Sequence, residues 1–274
     1  MRPIADMPDD VAAGIRVLFT DIDDTITTEG RLHAAAYQAL EDLHEAGIAV
    51  APITGRPAGW CDMVARFWPV AGVVGENGAF YYAYDHAARK MIRKAHPAVE
   101  AHLADPARFD RIRDRVAREV PGAAISADQP FRLADLAIDF CEDVEPLAPA
   151  DVARIKAIFE EEGAVAKVSS IHVNGWFGDY DKLTMSRTFA TDILGLDIDA
   201  RNSVVAFVGD SPNDQPMFGF FDNSCGVANV RDFEAQISTP PKWVASHKGG
   251  AGFREIADYI LAARRGALAR GQGT

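Results

Sequence analysis

Val17-Leu18-Phe19-Thr20-Asp21-Ile22-Asp23-Asp24-Thr25 is an apolar run that ends abruptly in three carboxylates and a hydroxyl. The run itself predicts a buried strand. Ligands of a parallel α/β sheet bind outside the carboxyl ends of its strands, so acids crowded there suggest chemistry more than a solvated turn. An Asp-rich loop of this kind also arises by chance, and the stretch takes its meaning from the polar groups that recur later in the chain. Leu32, Ala36, Leu40 and Leu43 recur at helical spacing before the stop signal Gly47, which predicts a helix over residues 33–46. A second apolar run over 48–53 leads into Thr54-Gly55-Arg56-Pro57. A β-α-β connection makes the two strands parallel and brings Thr54 beside Asp21.

Outward from this unit, a helix is expected over 60–68 and a third strand over 70–74. Glu76-Asn77-Gly78 then precedes an aromatic strand over 80–84. Asn-Gly is a hairpin signal, and Asn77 stays open between a turn residue and a site residue. From 97 to 179 the pattern changes to two amphipathic helices, around 109–120 and 152–159, with strands at 136–140, 165–168 and 171–177. This reads as an α+β insert, a small sheet with two helices on one face. The first pattern then resumes with a helix over 183–194, a buried strand over 203–208 and the loop Gly209-Asp210-Ser211-Pro212-Asn213-Asp214. Short strands at 225–227 and 243–244, a helix over 253–263 and a frayed tail over 264–274 complete the reading. The expected organisation is a core over 1–96 and 180–274, with a doubly wound, mostly parallel Rossmann-type sheet, and an inserted cap over 97–179.

A net charge of -12 with no Lys/Arg block disfavours nucleic acid and anionic membrane as partners and suits a small-molecule ligand. Cys61, Cys141 and Cys225 form no Cys-x-x-Cys or Cys/His cluster, which argues against a disulfide framework and structural zinc. Asp6, Asp9 and Asp10 stand where a signal peptide needs a basic end and an apolar core, and no run is long enough for a membrane span. A soluble, unprocessed, cytoplasmic protein is expected, either monomer or homodimer.

Three strand ends thus carry polar groups: Asp21, Asp23 and Thr25; Thr54 with Gly55 and Arg56; and Asp210, Asn213 and Asp214. Lys182 precedes the last of them by one helix. Phosphoryl transfer needs an in-line nucleophile, a proton donor for the leaving oxygen, positive charge and donors around the equatorial oxygens. A carboxylate can be the covalent nucleophile, and clustered carboxylates with carbonyl oxygens suit Mg2+.

In these motifs and their order, Asp21-x-Asp23-x-Thr25, Thr54-Gly55-Arg56, Lys182 and Gly209-Asp210-Ser211-x-Asn213-Asp214, the chain resembles the haloacid dehalogenase superfamily of phosphatases. An insert between the second and third motifs resembles its subgroup IIB, with an α/β cap of the second type, as in Cof-like, sucrose-phosphate and mannosyl-phosphoglycerate phosphatases. The resemblance implies a Mg2+-dependent phosphatase acting on a small phosphorylated metabolite, most readily a sugar phosphate. It implies Asp21 as nucleophile and Asp23 as general acid/base. Thr54, Gly55, Lys182 and Asn213 would hold phosphate, and Asp21, the main-chain carbonyl of Asp23, and Asp210 would surround Mg2+, with Asp214 at or just behind it. The lysine departs from the pattern of Cof-like relatives, since leucine stands after it where glycine is usual.

Bland alternatives stand beside these roles: Lys182 as an exposed lysine at a helix start, Thr54 as a helix cap, Asp210 and Asp214 as a capped loop without metal. Arg56 reads as structural, paired with a nearby acid. A phosphomutase of the same superfamily is the alternative within enzymes, and a receiver-like phosphoacceptor the alternative outside them, although a receiver has no use for a cap or for Asp23. In the cap, alternation over 171–176 puts His172, Asn174 and Trp176 on one face and Ile171 and Val173 on the other. The first three are expected to form an open face that either reads the leaving group or merely covers the hinge.

Overall fold

The structure, a computed structural model, describes residues 1–103 and 107–271. In chain order its elements are β1 (Arg2–Pro3), α1 (Asp9–Gly14), β2 (Val17–Thr20), α2 (Ala34–Glu45), β3 (Ala49–Pro52), α3 (Ala58–Phe67), β4 (Val73–Gly75), β5 (Phe80–Asp85) and β6 (Lys90–Ala95). Next come α4 (Pro97–Leu103), α5 (Ala107–Glu119), β7 (Ala124–Ile125), β8 (Asp135–Asp139), α6 (Pro149–Glu161), β9 (Val165–Val168) and β10 (His172–Trp176). The chain closes with α7 (Lys182–Leu194), β11 (Val205–Gly209), α8 (Gln215–Phe220), β12 (Asn223–Gly226), β13 (Trp243–Val244) and α9 (Gly249–Gly271).

The central sheet runs β1-β13-β12-β11-β2-β3, and every pairing in it is parallel. Its inner strands β2, β3 and β11 are largely apolar on both faces because both are covered. Leu18, Val50, Ala206 and Val208 pack under α2 and α9, while Phe19, Ala51 and Phe207 pack under α7 and α8. β2 lies between β3 and β11, so the chain leaves it in one direction and returns on its other side. That is the switch point at which a doubly wound sheet opens a crevice.

Two antiparallel sheets accompany it. The first, β4-β5-β6, touches the edge of the central sheet at the parallel bridge Ile53 to Val74, and the third strand expected there pairs chiefly with β5. β6 has no counterpart among the expected strands: Lys90, Arg93 and Lys94 make it an exposed edge held by its backbone. The second, β7-β8-β10-β9, comes from the insert. Leu136, Ile138 and Val173 on one of its faces pack against Phe109, Ile112 and Val116 of α5 and Ile155, Ile158 and Phe159 of α6. Its other face turns toward the core, where Ala134 and Trp176 share an apolar cluster with Cys61 and Val64 of α3 and Phe80 and Tyr82 of β5. The tail expected to fray from residue 264 is instead helical to Gly271, the last three residues lying outside those described.

Candidate active site

Backbone bonding delivers the first acid to the sheet's rim: Asp21 N–H donates to Val208 O and Ile53 N–H to Thr20 O, so the ends of β11, β2 and β3 stand side by side. Asp21, Asp210 and Asp214 converge there, each fully or nearly buried, with one carboxylate oxygen of each within 4.8 Å of the others. Lys182 stands at the first turn of α7. Its Nζ donates to Asp21 Oδ1 and to Asp214 Oδ1, both at 2.8 Å. Burial opposes its charge, but the two aspartates outweigh burial and hold the ammonium above its ordinary pKa. Burial is also the largest influence on Asp21. Despite Lys182, it and the negative charges of Asp214 and Asp23 push the carboxyl up to about 7. Asp210 is driven well above the carboxylate range by burial and by Asp214 and Asp21.

Three carboxyl groups facing one lysine make a buried pocket of hard oxygens that keeps protons for want of positive charge, and such a pocket fits a divalent cation. Asp214 is the least free to bind one. Its Oδ1 takes Lys182 and its Oδ2 accepts the Asp210 amide at 3.1 Å, so it serves the other two from behind. Asp210 is itself oriented, by Thr25 Oγ1 at 3.2 Å and by Asn229 Nδ2 at 3.0 Å.

Asp23 points elsewhere. Both of its carboxylate oxygens receive the Arg56 guanidinium, with Nε at 2.9 and 3.0 Å and Nη2 at 2.8 Å. The acid expected to pair with Arg56 is therefore the one assigned to proton transfer. Thr54 Oγ1 accepts the Arg56 amide at 3.0 Å and caps no helix, and Gly55 offers its carbonyl to Arg132 Nη1 at 2.8 Å. Asn213 lies in the turn after Asp210, its Oδ1 bonded by Ser211 Oγ. Asn77 lies in the β4–β5 turn at φ 55°, beside Gly55, and its buried Nδ2 has no acceptor.

The cap face differs from expectation. His172, Asn174 and Trp176 share one side of β10, but that side is closed, with each residue at most 2% exposed. Trp176 stacks on Tyr180 and donates to its carbonyl, and Asn174 donates to Asp135 Oδ2 at 2.9 Å. Both are packed away from solvent because the core covers the face that alternation left open, and Trp176 lines a small cavity with Lys182 and Asn213. His172 alone of the three lines the cavity above Asp21 and Asp23, and Ile171, outside the strand, lines it too.

Sequence reasoning missed Asn229, Arg132 and Glu76. Glu76 is wholly buried and accepts the amides of Ala58 in the core and of Leu133, Ala134 and Asp135 in the insert. An acid directly after an apolar strand was its one available signal; Asn229 carried none.

Residues 18–104 match the haloacid dehalogenase-like hydrolase family, a stretch holding Asp21, Asp23, Thr54 and Arg56. Solved structures extend the likeness to nearly the whole chain. A Thermoplasma acidophilum protein, 0175, is 18% identical with a TM-score of 0.68 over 90% of this chain and 98% of its own. The fold is that of the haloacid dehalogenase-like hydrolases. A putative HAD/COF-like hydrolase from Plasmodium vivax is 16% identical with a TM-score of 0.62, covering 93% of this chain and 99% of its own. The sucrose-phosphatase of Synechocystis sp. PCC6803, solved with sucrose and phosphate, is 16% identical with a TM-score of 0.59, covering 89% and 97%. No curated protein matches the sequence. No helix among the described residues is long and apolar enough to cross a membrane.

Proposed function

We propose that this protein is a Mg2+-dependent phosphatase that hydrolyses a small phosphorylated metabolite, most readily a sugar phosphate, with residues 97–179 as its cap. The observation that carries the reading is the buried Asp21-Lys182-Asp214 chain beside Asp210, at the mouth of a parallel sheet. A Synechocystis relative in fold solved with sucrose and phosphate supports the substrate class.

Asp21 Oδ attacks phosphorus in line while the bond to the leaving oxygen breaks, and Asp23 gives that oxygen its proton. Water then attacks the phosphorus of the aspartyl-phosphate and passes a proton to Asp23. The bond to Asp21 breaks, releasing phosphate and restoring the carboxylate. Lys182 steadies the nucleophile, and Thr54, the Gly55 backbone and Asn213 would supply donors to the equatorial oxygens. Asp21, Asp210 and the carbonyl of Asp23 would hold Mg2+, with Asp214 behind them. When bound, the ion offsets charge on the phosphoryl oxygens.

Release of phosphate from a panel of phosphorylated metabolites, with Mg2+ and with chelator, tests this. Asp21→Asn is expected to fold normally and lose about a thousandfold or more in kcat. Near-normal turnover by that variant ends the mechanism.

A further inference from the structure

Arg56 reaches both ways across the gap between core and cap. One side of its guanidinium grips both oxygens of Asp23, while Nη2 also donates to Glu142 Oε1 at 2.9 Å. Glu142 belongs to the loop after β8, and its Oε2 lies 2.9 Å from His172 Nε2, off the hydrogen-bond direction. Arg56 is itself buried and lies over the Trp60 ring at 4.5 Å, so the fork is held in its plane. The space that Asp21, Asp23, Arg56 and His172 line amounts to about 10 Å³, room for at most one water and none for a phosphoryl group.

We propose that Arg56 is a positioning residue that gates Asp23 by clasping it to the cap. In the substrate-free molecule the Asp23-Arg56-Glu142 bridge shuts the crevice and occupies both oxygens of the proton-transfer residue. Parting the bridge admits the phosphate ester and frees Asp23 together. Arg132 on the Gly55 carbonyl and Glu76 on the amides of Leu133, Ala134 and Asp135 also join core and cap, but the Arg56 bridge is the contact that holds Asp23 as well, so its parting frees the acid as the crevice opens. A closed form of this kind taxes binding, since apparent affinity scales with the fraction of molecules that are open. The kinetic half of the proposal rests on the phosphatase reading; the mechanical half does not.

The test uses the full chain with Cys141→Ser, spin labels at Asp10→Cys on α1 and Glu160→Cys on α6, and two ways of weakening the bridge. Glu142→Ala removes its cap end at a half-exposed site, and Arg56→Lys keeps the charge but loses the fork. Both are expected to broaden the core-to-cap distance distribution of the substrate-free protein toward longer separations. With acetyl phosphate, too small to need the cap, Glu142→Ala is expected to lower KM by about three- to tenfold with kcat little changed. A purely structural role would lower Tm and leave KM alone. An unchanged distance distribution in both variants overturns the clasp, and an unchanged or raised KM overturns the gating. If the parent protein hydrolyses no phosphate ester, the phosphatase reading fails and the distance measurement still decides the clasp.

Discussion

A methyl group at position 78 would lie 2.0 Å from the carbonyl oxygen of Asp181 and 2.9 Å from the amide nitrogen of Lys182. Gly78 sits at φ +106°, a conformation that also strains any L side chain. The turn after β4 is therefore a backbone-to-backbone seat for the start of α7, and Lys182 reaches Asp21 and Asp214 from that seat. Gly78→Ala is expected to destabilise the fold by about 1–3 kcal/mol and to lower kcat as well, because the lysine moves with its helix. Gly163→Ala is the matched control. Its φ is +79° with nothing within 4 Å of the added carbon, so it carries the strain without the collision. Denaturant midpoints and turnover measured together decide the matter: if the two variants behave alike in kcat, the seat has no part in placing Lys182.

At the scale of an element, α7 carries Lys182 through its own cap. Asp181 accepts the Thr184 amide at 2.7 Å, and Gly195 at φ 62° closes the far end. Asp181→Ala is expected to cost about 1 kcal/mol and, in a chain of this size, about 2–4 °C in Tm, with a drop in kcat no larger than that of Gly78→Ala. A Tm unchanged within error would show the cap to be idle. The contrast between α7 and β10 explains what could be read from sequence and what could not. β2, β3 and β11 are short apolar runs ending in acids or hydroxyls, and a strand buried on both faces announces itself by composition. The convergence of Asp21, Asp210, Asp214 and Lys182 was legible because acids at strand ends and a lysine at a helix start, in this order, form a motif. β10 alternates like a half-exposed strand, but its second face is covered by residues distant in sequence, so His172, Asn174 and Trp176 looked open. Glu76 bonds to main chain, which has no sequence signature; Arg132 joins Asp128 and Asp135, near in sequence, to the carbonyl of Gly55, which is remote from it; and Asn229 reaches Asp210 and Asp24 O from a 3-10 turn that no periodicity marks. The C-terminal helix was cut short because its last turns bury little, whereas their Ala- and Arg-rich composition favours helix without burial.

For the molecule as a whole, the buried acids set how stability depends on pH. Burial, the largest cause in each case, pushes Asp21 up to about 7, Glu76 up to about 8 and Asp210 well above the carboxylate range. Asp135 adds to the effect on Glu76, while the Leu133 and Ala134 amides and Arg132 pull against it. Below about pH 4 these groups are protonated in the folded and unfolded chains alike and make stability no steeper. Between about pH 4 and 8 the unfolded chain has released their protons while the folded one still holds them. The folded state then binds more protons, and stability falls as pH rises. A divalent cation held by this pocket would change the balance, because it would bind the deprotonated form in the folded chain and have to displace those protons to do so. In chelator, Tm is therefore expected to decline from pH 5 to 8. Saturating Mg2+ should raise it by an increment that grows over the same range, since a ligand at about 100 times its Kd contributes about 2.7 kcal/mol. The increment at each pH, Mg2+ minus chelator, cancels every group remote from the metal pocket and isolates Asp21 and Asp210. Glu76 stays in both curves, so a residual decline should survive in Mg2+. An increment that is flat across pH 5 to 8, or that shrinks as pH rises, would mean that the ion does not bind through these carboxylates.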